Sequence, residues 1–193
     1  MPSAPSSAPF WNALICLPAS EELPNPVRIG LVADTHCGLR RTPLPPELLR
    51  GLAGCDVILH AGDVTAPWVL EELGELAPVR VVPGNNDVGE WTRTAPLTRF
   101  LRSGHFTLAL THGHDGRGTA RENTLALLRN VVDCAVYGHS HQPEVVEREG
   151  LLMINPGSPT QHRWAPAPTF GILTVGDTLH ARIITLPPRR TAP

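Results

Sequence analysis

Five short polar clusters in this sequence carry side chains that bind metal ions or transfer protons. They are Asp34-x-His36, Gly62-Asp63, Gly84-Asn85-Asn86-Asp87, His112-Gly113-His114 and Gly138-His139-Ser140-His141. A single aspartate at the end of a strand is more often a turn residue than a ligand. Five clusters in succession, all of carboxylate, imidazole or amide type, favour a divalent metal site over turn chemistry alone.

An apolar run precedes each of these clusters and predicts a strand that ends at it. The predicted strands are residues 27–33, 56–60, 79–82, 106–111 and 135–137, and helical spacing predicts helices over 46–52, 68–76 and 120–131. Strands that alternate with helices indicate an α/β fold with parallel strands. In such sheets ligands bind at the carboxyl ends of the strands, so the five clusters should share one edge.

The pattern changes in the last third of the chain, where apolar runs follow one another without a helix. Residues 144–148, 151–154, 170–175 and 179–186 predict strands that are joined by turns. This pattern predicts a second, more antiparallel sheet.

Composition excludes several kinds of chemistry. The 193 residues include 16 arginines and no lysine, so a P-loop, a pyridoxal phosphate Schiff base and a lysine general base are excluded. The net charge is -2 and no arginine-rich face is evident beyond Arg189 and Arg190, which disfavours a long nucleic-acid groove. Four cysteines without a Cys-x-x-Cys pair predict reduced thiols and a cytoplasmic protein.

The two ends of the chain differ from its body. Residues 1–26 are rich in proline, serine and alanine and predict a flexible extension, although a start codon assigned too far upstream would explain them equally well. We place the domain at 27–186 and a tail at 187–193, and expect that removal of residues 1–25 leaves the melting temperature nearly unchanged. No apolar run approaches the roughly 20 residues that span a bilayer, and we expect neither a membrane partner nor a signal peptide.

The order of the five clusters resembles the calcineurin-like metallophosphoesterases. The short length and the sequence Asn155-Pro156-Gly157-Ser158 resemble the small YfcE-type phosphodiesterase subgroup, and the resemblance covers residues 27–186. It implies a four-layer αββα sandwich of two mixed β-sheets flanked by helices. It also implies two divalent metal ions and hydrolysis of phosphate esters by in-line attack of a metal-bridging hydroxide.

The resemblance also implies which residues bind the metals. One ion would take Asp34, His36 and His141, the other Asn85, His112 and His139, and Asp63 would bridge both. Manganese is the first expectation by resemblance, and iron, cobalt, nickel or zinc remain open. Because His139 and His141 are two residues apart, a sharp bend after Gly138 is needed to bring both to the metals.

Residue 86 departs from the family, in which histidine or cysteine is usual. Asn86 cannot supply a proton to a leaving group, but its amide can donate a hydrogen bond to a phosphoryl oxygen. His114 is the nearest alternative proton donor, or else a histidine that is hydrogen-bonded within its loop. Arg163 could bind phosphate or pair with an acid, and Asp87 is expected to anchor the loop. We therefore assign catalytic roles to Asp63, Asn85 and His114, and substrate contacts to Asn86 and Arg163.

Three functions fit this pattern to different degrees. The leading hypothesis is a two-metal phosphodiesterase that acts on small phosphodiesters, and homo-oligomers remain open. A phosphomonoesterase or a cyclic-nucleotide phosphodiesterase could use the same site. A protein-binding scaffold, like the retromer subunit of this fold that has lost several metal-binding histidines, is disfavoured because all seven ligand positions are filled here.

Overall fold

The computed structural model describes residues 20–38 and 43–187. Its strands are β1 (Glu21–Leu23), β2 (Val27–Val32), β3 (Val57–His60), β4 (Val79–Val81), β5 (Thr98–Ser103), β6 (Phe106–Thr111), β7 (Cys134–Val136), β8 (Glu144–Arg148), β9 (Leu151–Asn155), β10 (Thr169–Val175) and β11 (Leu179–Thr185). Its helices are α1 (Pro46–Leu52), α2 (Trp68–Gly74), α3 (Trp91–Thr94) and α4 (Ala120–Leu128). No helix in these ranges is long and apolar enough to cross a membrane.

The strands form two mixed sheets. The six-stranded sheet has the order β1-β5-β6-β7-β9-β8, in which β6, β7 and β9 are mutually parallel. The five-stranded sheet has the order β11-β10-β2-β3-β4, in which β2, β3 and β4 are parallel. Each sheet therefore brings the carboxyl ends of its parallel strands to one edge, and the polar clusters follow these strands.

Three apolar clusters separate the layers. Between the two sheets lie side chains such as Ile29, Leu31, Leu59, Leu108, Leu110, Val136 and Leu173. Helices α1 and α2 cover the outer face of the five-stranded sheet, with Leu48, Leu52, Val69 and Leu73 packed against Ile58 and Phe170. Helix α4 covers the outer face of the six-stranded sheet through Ala120 and Leu128. The expected four-layer αββα sandwich is confirmed.

Local chemistry explains where two of the helices begin. Helix α1 starts at Pro46, whose missing N–H would be unpaired at a first helical position in any case. Helix α4 follows a capping box in which Thr119 Oγ1 accepts a hydrogen bond from Glu122 N and Glu122 Oε2 accepts one from Thr119 N at 2.8 Å. This cap fixes the end of the loop that begins at His112.

The last four strands do not form a second sheet of their own, so that expectation was wrong. Strands β8 and β9 join the six-stranded sheet, and β10 and β11 join the five-stranded sheet. The reason is non-local pairing, because β9 lies parallel to β7 and β10 lies antiparallel to β2. The sequence prediction also missed β1, α3 and β5.

The segment before Val27 contributes to the folded domain. Strand β1 pairs in parallel with β5, and Arg80 Nε donates a 2.6 Å hydrogen bond to Glu21 Oε1. Ser103 Oγ donates a 2.6 Å hydrogen bond to the carbonyl oxygen of Pro24. The domain therefore begins before the expected boundary at residue 27. Residues 1–19 of the predicted extension, and the tail beyond residue 187, lie outside the described residues.

Candidate metal centre

The five polar clusters meet at one edge of the sandwich. Strands β2, β3 and β4 of one sheet lead into Asp34, Asp63 and Asn85, and strands β6 and β7 of the other sheet lead into His112 and His139. The site therefore spans the junction between the two sheets.

One group in this site consists of Asp34, His36 and His141, whose ligand atoms lie within 4.8 Å of one another. The two imidazole rings stack with centroids 5.1 Å apart, and His141 Nε2 lies 3.6 Å from Asp34 Oδ1. His141 Nδ1 is hydrogen-bonded to the carbonyl oxygen of Gln161, which fixes the ring with Nε2 toward Asp34. Asp34 Oδ2, His36 Nε2 and His141 Nε2 are buried without a hydrogen-bond partner. Buried polar atoms rarely lack partners, so these three atoms fit a cation.

A second group consists of Asp34, Asp63 and His112, again within 4.8 Å. His112 Nδ1 lies 2.6 Å from the carbonyl oxygen of Ala61 and donates its proton there, because that oxygen can only accept. His112 Nε2 nevertheless faces two acceptor oxygens, at 3.2 Å from Asn85 Oδ1 and 3.5 Å from Asp63 Oδ2. A neutral imidazole has a single N–H. The arrangement therefore requires a positive charge at Nε2, which a second proton or a metal ion would supply.

Asp63 belongs to the second group and also lies beside His36 of the first. Its Oδ2 atom is 3.2 Å from His36 Nε2 and 3.5 Å from His112 Nε2. Burial opposes ionisation of Asp63, but the adjacent imidazoles of His112 and His36 outweigh it and hold the pKa well below the usual range. The side chain is therefore a carboxylate shared by ligands of both groups.

His139 lies at the margin of this arrangement. Its ring centroid is 5.2 Å from that of His112, and its main-chain N–H donates a 3.2 Å hydrogen bond to Asp34 Oδ1. No ligand atom of His139 belongs to either three-residue group of the described chain. The structure thus brings His139 to the site, next to His112, but less closely than the other predicted histidine ligands.

Backbone strain is concentrated at the predicted ligands. Asp34, His36, Asp63, His139 and His141 have φ values of 54°, 41°, 55°, 67° and 57°. Side chains disfavour this left-handed region by roughly 1–2 kcal/mol per residue, and such strain is often retained at functional sites. The expected bend at the last cluster is produced by His139 and His141 themselves. Gly138 instead permits close packing, since a Cβ there would lie 2.8 Å from Ala61 O.

Burial changes the protonation of the other acidic and imidazole groups. It raises the pKa of Asp34 to about 7, with the neighbouring Asp63 charge adding to the shift. It lowers the pKa of His141 to about 4 and that of His139 below its ordinary value. Without a metal, burial therefore favours the neutral forms of Asp34, His139 and His141, whereas a bound cation would favour an ionised Asp34 and unprotonated imidazoles.

The three residues assigned to proton transfer and substrate contact lie around the site. Asn86 donates two hydrogen bonds to the Asp63 carboxylate. Its main-chain N–H donates to Oδ1 at 2.8 Å, and its side-chain Nδ2 donates to Oδ2 at 2.7 Å. His114 has its ring 5.1 Å from that of His112, and its Nε2 lies 3.4 Å from Asp115 Oδ1. Arg163 is exposed on the loop after β9. The Asn86 amide, expected to face a phosphoryl oxygen, thus contacts the central carboxylate.

Asp87 anchors its loop, as expected. Its Oδ1 atom accepts a 2.7 Å hydrogen bond from Thr65 N and its Oδ2 atom accepts a 2.8 Å hydrogen bond from Gly84 N. Gly84 must be a glycine here, because a Cβ would lie 2.2 Å from Asp63 Oδ1. These contacts join the loops after β3 and β4 and hold Asp63 beside Asn85.

Several supporting residues carried no assigned role in the site in the sequence prediction. Asn155 Nδ2 donates to the carbonyl oxygen of Gly138 at 2.9 Å, and Ser158 Oγ donates to that of Asp34 at 2.7 Å. The Asn155-Pro156-Gly157-Ser158 turn therefore supports the loops that carry Asp34 and His139. The sequence signal for this supporting role is the amide of Asn155 and the hydroxyl of Ser158 in a turn that contains glycine. His60 is fully buried with Nε2 3.2 Å from Thr35 Oγ1.

The chain is similar in sequence to known phosphoesterases. The family model of the calcineurin-like phosphoesterase superfamily domain matches residues 27–178. A probable metallophosphoesterase of Methanothermobacter thermautotrophicus is 36% identical over 157 residues, which cover 81% of this chain and 91% of the relative. Phosphodiesterase MJ0936 of Methanocaldococcus jannaschii is 26% identical over 76% of this chain and 92% of that protein.

A solved structure shares the fold. Wild-type Vps29 of Entamoeba histolytica, in complex with Zn²⁺, superposes with a TM-score of 0.67 at 24% identity. The match covers 82% of this chain and 98% of that one. From the match to the family model and the 36% identity to the archaeal relative, we conclude that the chain belongs to the calcineurin-like phosphoesterase superfamily.

Proposed function

We propose that this protein is a two-metal phosphodiesterase that hydrolyses small phosphodiesters. The observation that carries the proposal is the position of Asp63, whose Oδ2 lies 3.2 Å from His36 Nε2 and 3.5 Å from His112 Nε2. A carboxylate shared between two groups of imidazole ligands is suited to hold two cations about 3.5–4 Å apart.

The first proposed ligand set coincides with one group, whereas the second takes His112 from the other group and adds Asn85 and His139 by resemblance to the family. Asp34, His36 and His141 would hold one ion, Asn85, His112 and His139 the other, and Asp63 would bridge them. The buried unpartnered atoms of Asp34, His36 and His141 support the first ion, and the two acceptor oxygens around His112 Nε2 support the second. When bound, the ions would polarise the phosphoryl oxygens and activate a water for in-line attack. The donor set fits manganese, iron, cobalt, nickel or zinc, and manganese is our first choice.

The chain's own residues would orient this chemistry. Asn86 holds the Asp63 carboxylate through two hydrogen bonds, of 2.8 and 2.7 Å, and so fixes the direction of its oxygen atoms. The Asn86 amide has a second N–H, which could still donate to a phosphoryl oxygen. His114 would hold the proton for the leaving group, since its ring lies 5.1 Å from that of His112 and its Nδ1 is buried without a partner.

The Vps29 likeness raises a scaffold function as the second candidate. At 24% identity that likeness concerns the fold alone. Against a pure scaffold, this chain keeps a carboxylate, amide or imidazole at all seven positions. The relative named Phosphodiesterase MJ0936 supports a diester substrate, whereas a monoester or a cyclic nucleotide could occupy the same site.

A metal-reconstituted activity panel tests the proposal. The protein is stripped of metal, reloaded with Mn²⁺, and assayed on a phosphomonoester, a linear aryl phosphodiester and a cyclic nucleotide, with metal content measured on the same sample. We expect two Mn²⁺ ions per chain and fastest turnover of the linear diester. Asp63→Asn should lower that turnover by about a thousandfold or more, because both ions lose their shared ligand.

Asp177→Asn is the matched control, because Asp177 is exposed between β10 and β11. Wild-type turnover in the reloaded Asp63→Asn variant would contradict the ligand assignment. Faster turnover of the monoester or of the cyclic nucleotide would instead indicate a phosphomonoesterase or a cyclic-nucleotide phosphodiesterase.

A further inference from the structure

A tight turn after the site loop presents two large side chains. Ala165 N donates a 2.8 Å hydrogen bond to His162 O, and His162 Nδ1 donates a 2.7 Å hydrogen bond to Ala165 O. These two bonds close residues 162–165 into a turn, named here the 162–165 turn. Arg163 and Trp164 occupy its two central positions, where side chains project from the chain.

The loop that leads into this turn is attached directly to proposed ligands. The carbonyl oxygen of Gln161 is hydrogen-bonded to His141 Nδ1, and Gln161 Nε2 donates a 3.3 Å hydrogen bond to His36 O. Trp164 follows Gln161 by three residues, so at most about 11 Å of extended chain separates their Cα atoms. The 162–165 turn is therefore at the rim of the metal centre.

Arg163 occupies a backbone position that normally belongs to glycine. Its φ is 47°, at the first central position of a turn, where glycine is the default. A strained residue that is not glycine points to a role for its side chain. Arg163 is an exposed cation on a turn whose preceding residue, Gln161, is attached to the loops of His141 and His36.

Trp164 is 92% exposed, which is the highest exposure among the large hydrophobic side chains of the described chain. Val88 is next at 77%, and it also lies close to the site, three residues after Asn85. The others, such as Leu127 at 54%, are less exposed. Trp164 therefore presents an open indole face on a turn that is attached to the loops of the proposed ligands.

We infer that Trp164 and Arg163 bind a phosphodiester that carries a planar aromatic group, with the nucleobase of a nucleotide-type substrate stacked on the indole. An indole face stacks on any base, and the adjacent guanidinium supplies positive charge for the phosphate. This inference rests on the proposed function and specifies its substrate class. Trp164 selects the substrate by binding it and takes no part in bond cleavage.

A binding experiment isolates the aromatic contact from turnover. Adenosine 5′-monophosphate carries adenine where ribose 5-phosphate carries its anomeric hydroxyl, and their affinities for the Mn²⁺-loaded protein are measured by calorimetry. We expect the base to raise affinity by about 5- to 150-fold, the range for one base stacked on an aromatic side chain. Trp164→Ala should bring the two affinities close together, with little change in the affinity for ribose 5-phosphate. Trp164→Phe should keep most of the difference between the two affinities. Arg163→Gln should weaken both ligands by a similar factor.

Leu127→Ala is the control, because Leu127 is an exposed hydrophobic residue near the far end of α4. An unchanged affinity ratio in Trp164→Ala would overturn the inference, as would an equal loss for both ligands. Hydrolysis of methyl p-nitrophenyl phosphate, assayed in parallel, reports separately on the proposed activity. No hydrolysis together with a Trp164-dependent ratio would refute the activity and retain the aromatic contact.

Discussion

Ser158 Oγ donates a 2.7 Å hydrogen bond to the carbonyl oxygen of Asp34, 124 positions earlier in the chain. The bond joins the loop after β9 to the loop after β2. Both residues are fully buried. Because Asp34 has a φ of 54°, its left-handed backbone depends on such contacts from outside its own loop.

Ser158→Ala should therefore weaken metal binding without removing a ligand. We expect about a 10- to 100-fold loss of Mn²⁺ affinity, the usual effect of removing a group that orients a ligand, and a loss of about 1–3 kcal/mol in the free energy of unfolding. Metal titration by calorimetry and urea denaturation measure the two effects.

Ser103→Ala is the matched control for this prediction. Ser103 is also buried and donates a 2.6 Å hydrogen bond to a distant carbonyl oxygen, that of Pro24, but it lies away from the site. Both variants should lose stability, and only Ser158→Ala should lose metal affinity. Equal metal affinities in the two variants would contradict a positioning role for Ser158.

Asp34→Asn should change how stability depends on pH in the metal-free protein. Burial raises the pKa of Asp34 to about 7, so between about pH 4 and 7 the folded chain binds a proton that the unfolded chain has released. The stability from Asp34 is therefore present at low pH and is lost as pH rises through 7, by up to about 1.4 kcal/mol per pH unit. Asparagine does not titrate, so the variant should gain stability relative to the wild type as pH rises. Parallel curves from urea denaturation at pH 4.5 to 7.5 would be inconsistent with this pKa.

Asn86→His should increase turnover most for diesters with poor leaving groups. Asparagine has no proton to transfer, whereas an imidazole near neutrality can protonate a departing alkoxide, an effect of about 100-fold or more in favourable cases. The measurement is the slope of log kcat/KM against leaving-group pKa, which should become shallower. Asn86→Gln keeps the amide without a proton and should not change the slope. Equal gains across all leaving groups would show that a histidine at position 86 does not protonate the leaving group.

Removal of residues 1–25 should destabilise the protein, in contrast to the expectation from composition alone. The deletion removes β1, the Glu21 hydrogen bond with Arg80 and the Pro24 carbonyl that accepts from buried Ser103. A buried hydroxyl without a partner costs about 1–3 kcal/mol, which corresponds to a melting temperature lower by roughly 2–12 °C in a domain of this size. Calorimetry measures the melting temperature of this deletion and of a second deletion that removes only residues 1–19. The difference between the two melting temperatures gives the contribution of residues 20–25. Identical melting temperatures would show that β1 contributes nothing.

The polar clusters and the strands before them could be predicted because both are local signals. An apolar run that stops at Asp34 or His112 marks a strand end whatever its neighbours are. The division of β8 to β11 between two sheets could not be predicted, because it depends on pairing such as Gly171 with Leu31 over a long sequence distance. Strand β1 was missed for the same reason, because its three residues form a strand through their pairing with β5, which is distant in sequence.

Within the site, residue types could be predicted but their backbone geometry could not. The left-handed φ values of Asp34 and Asp63 are imposed by contacts from other loops. The Asn86 side chain contacts Asp63 and not an open substrate position. This contact likewise depends on how the loops after β3 and β4 meet. Such contacts form between segments that are distant in sequence and leave no periodic pattern in either one.

The junction of two sheets at the site has a mechanical consequence. Apolar packing between the sheets is non-directional and would tolerate sliding of one sheet over the other. Directional bonds across the junction, such as His112 Nδ1 to Ala61 O at 2.6 Å, tolerate little displacement. The polar edge therefore sets the relative alignment of the two halves of the molecule, and an ion held by Asp63 and His112 would lock that alignment in place.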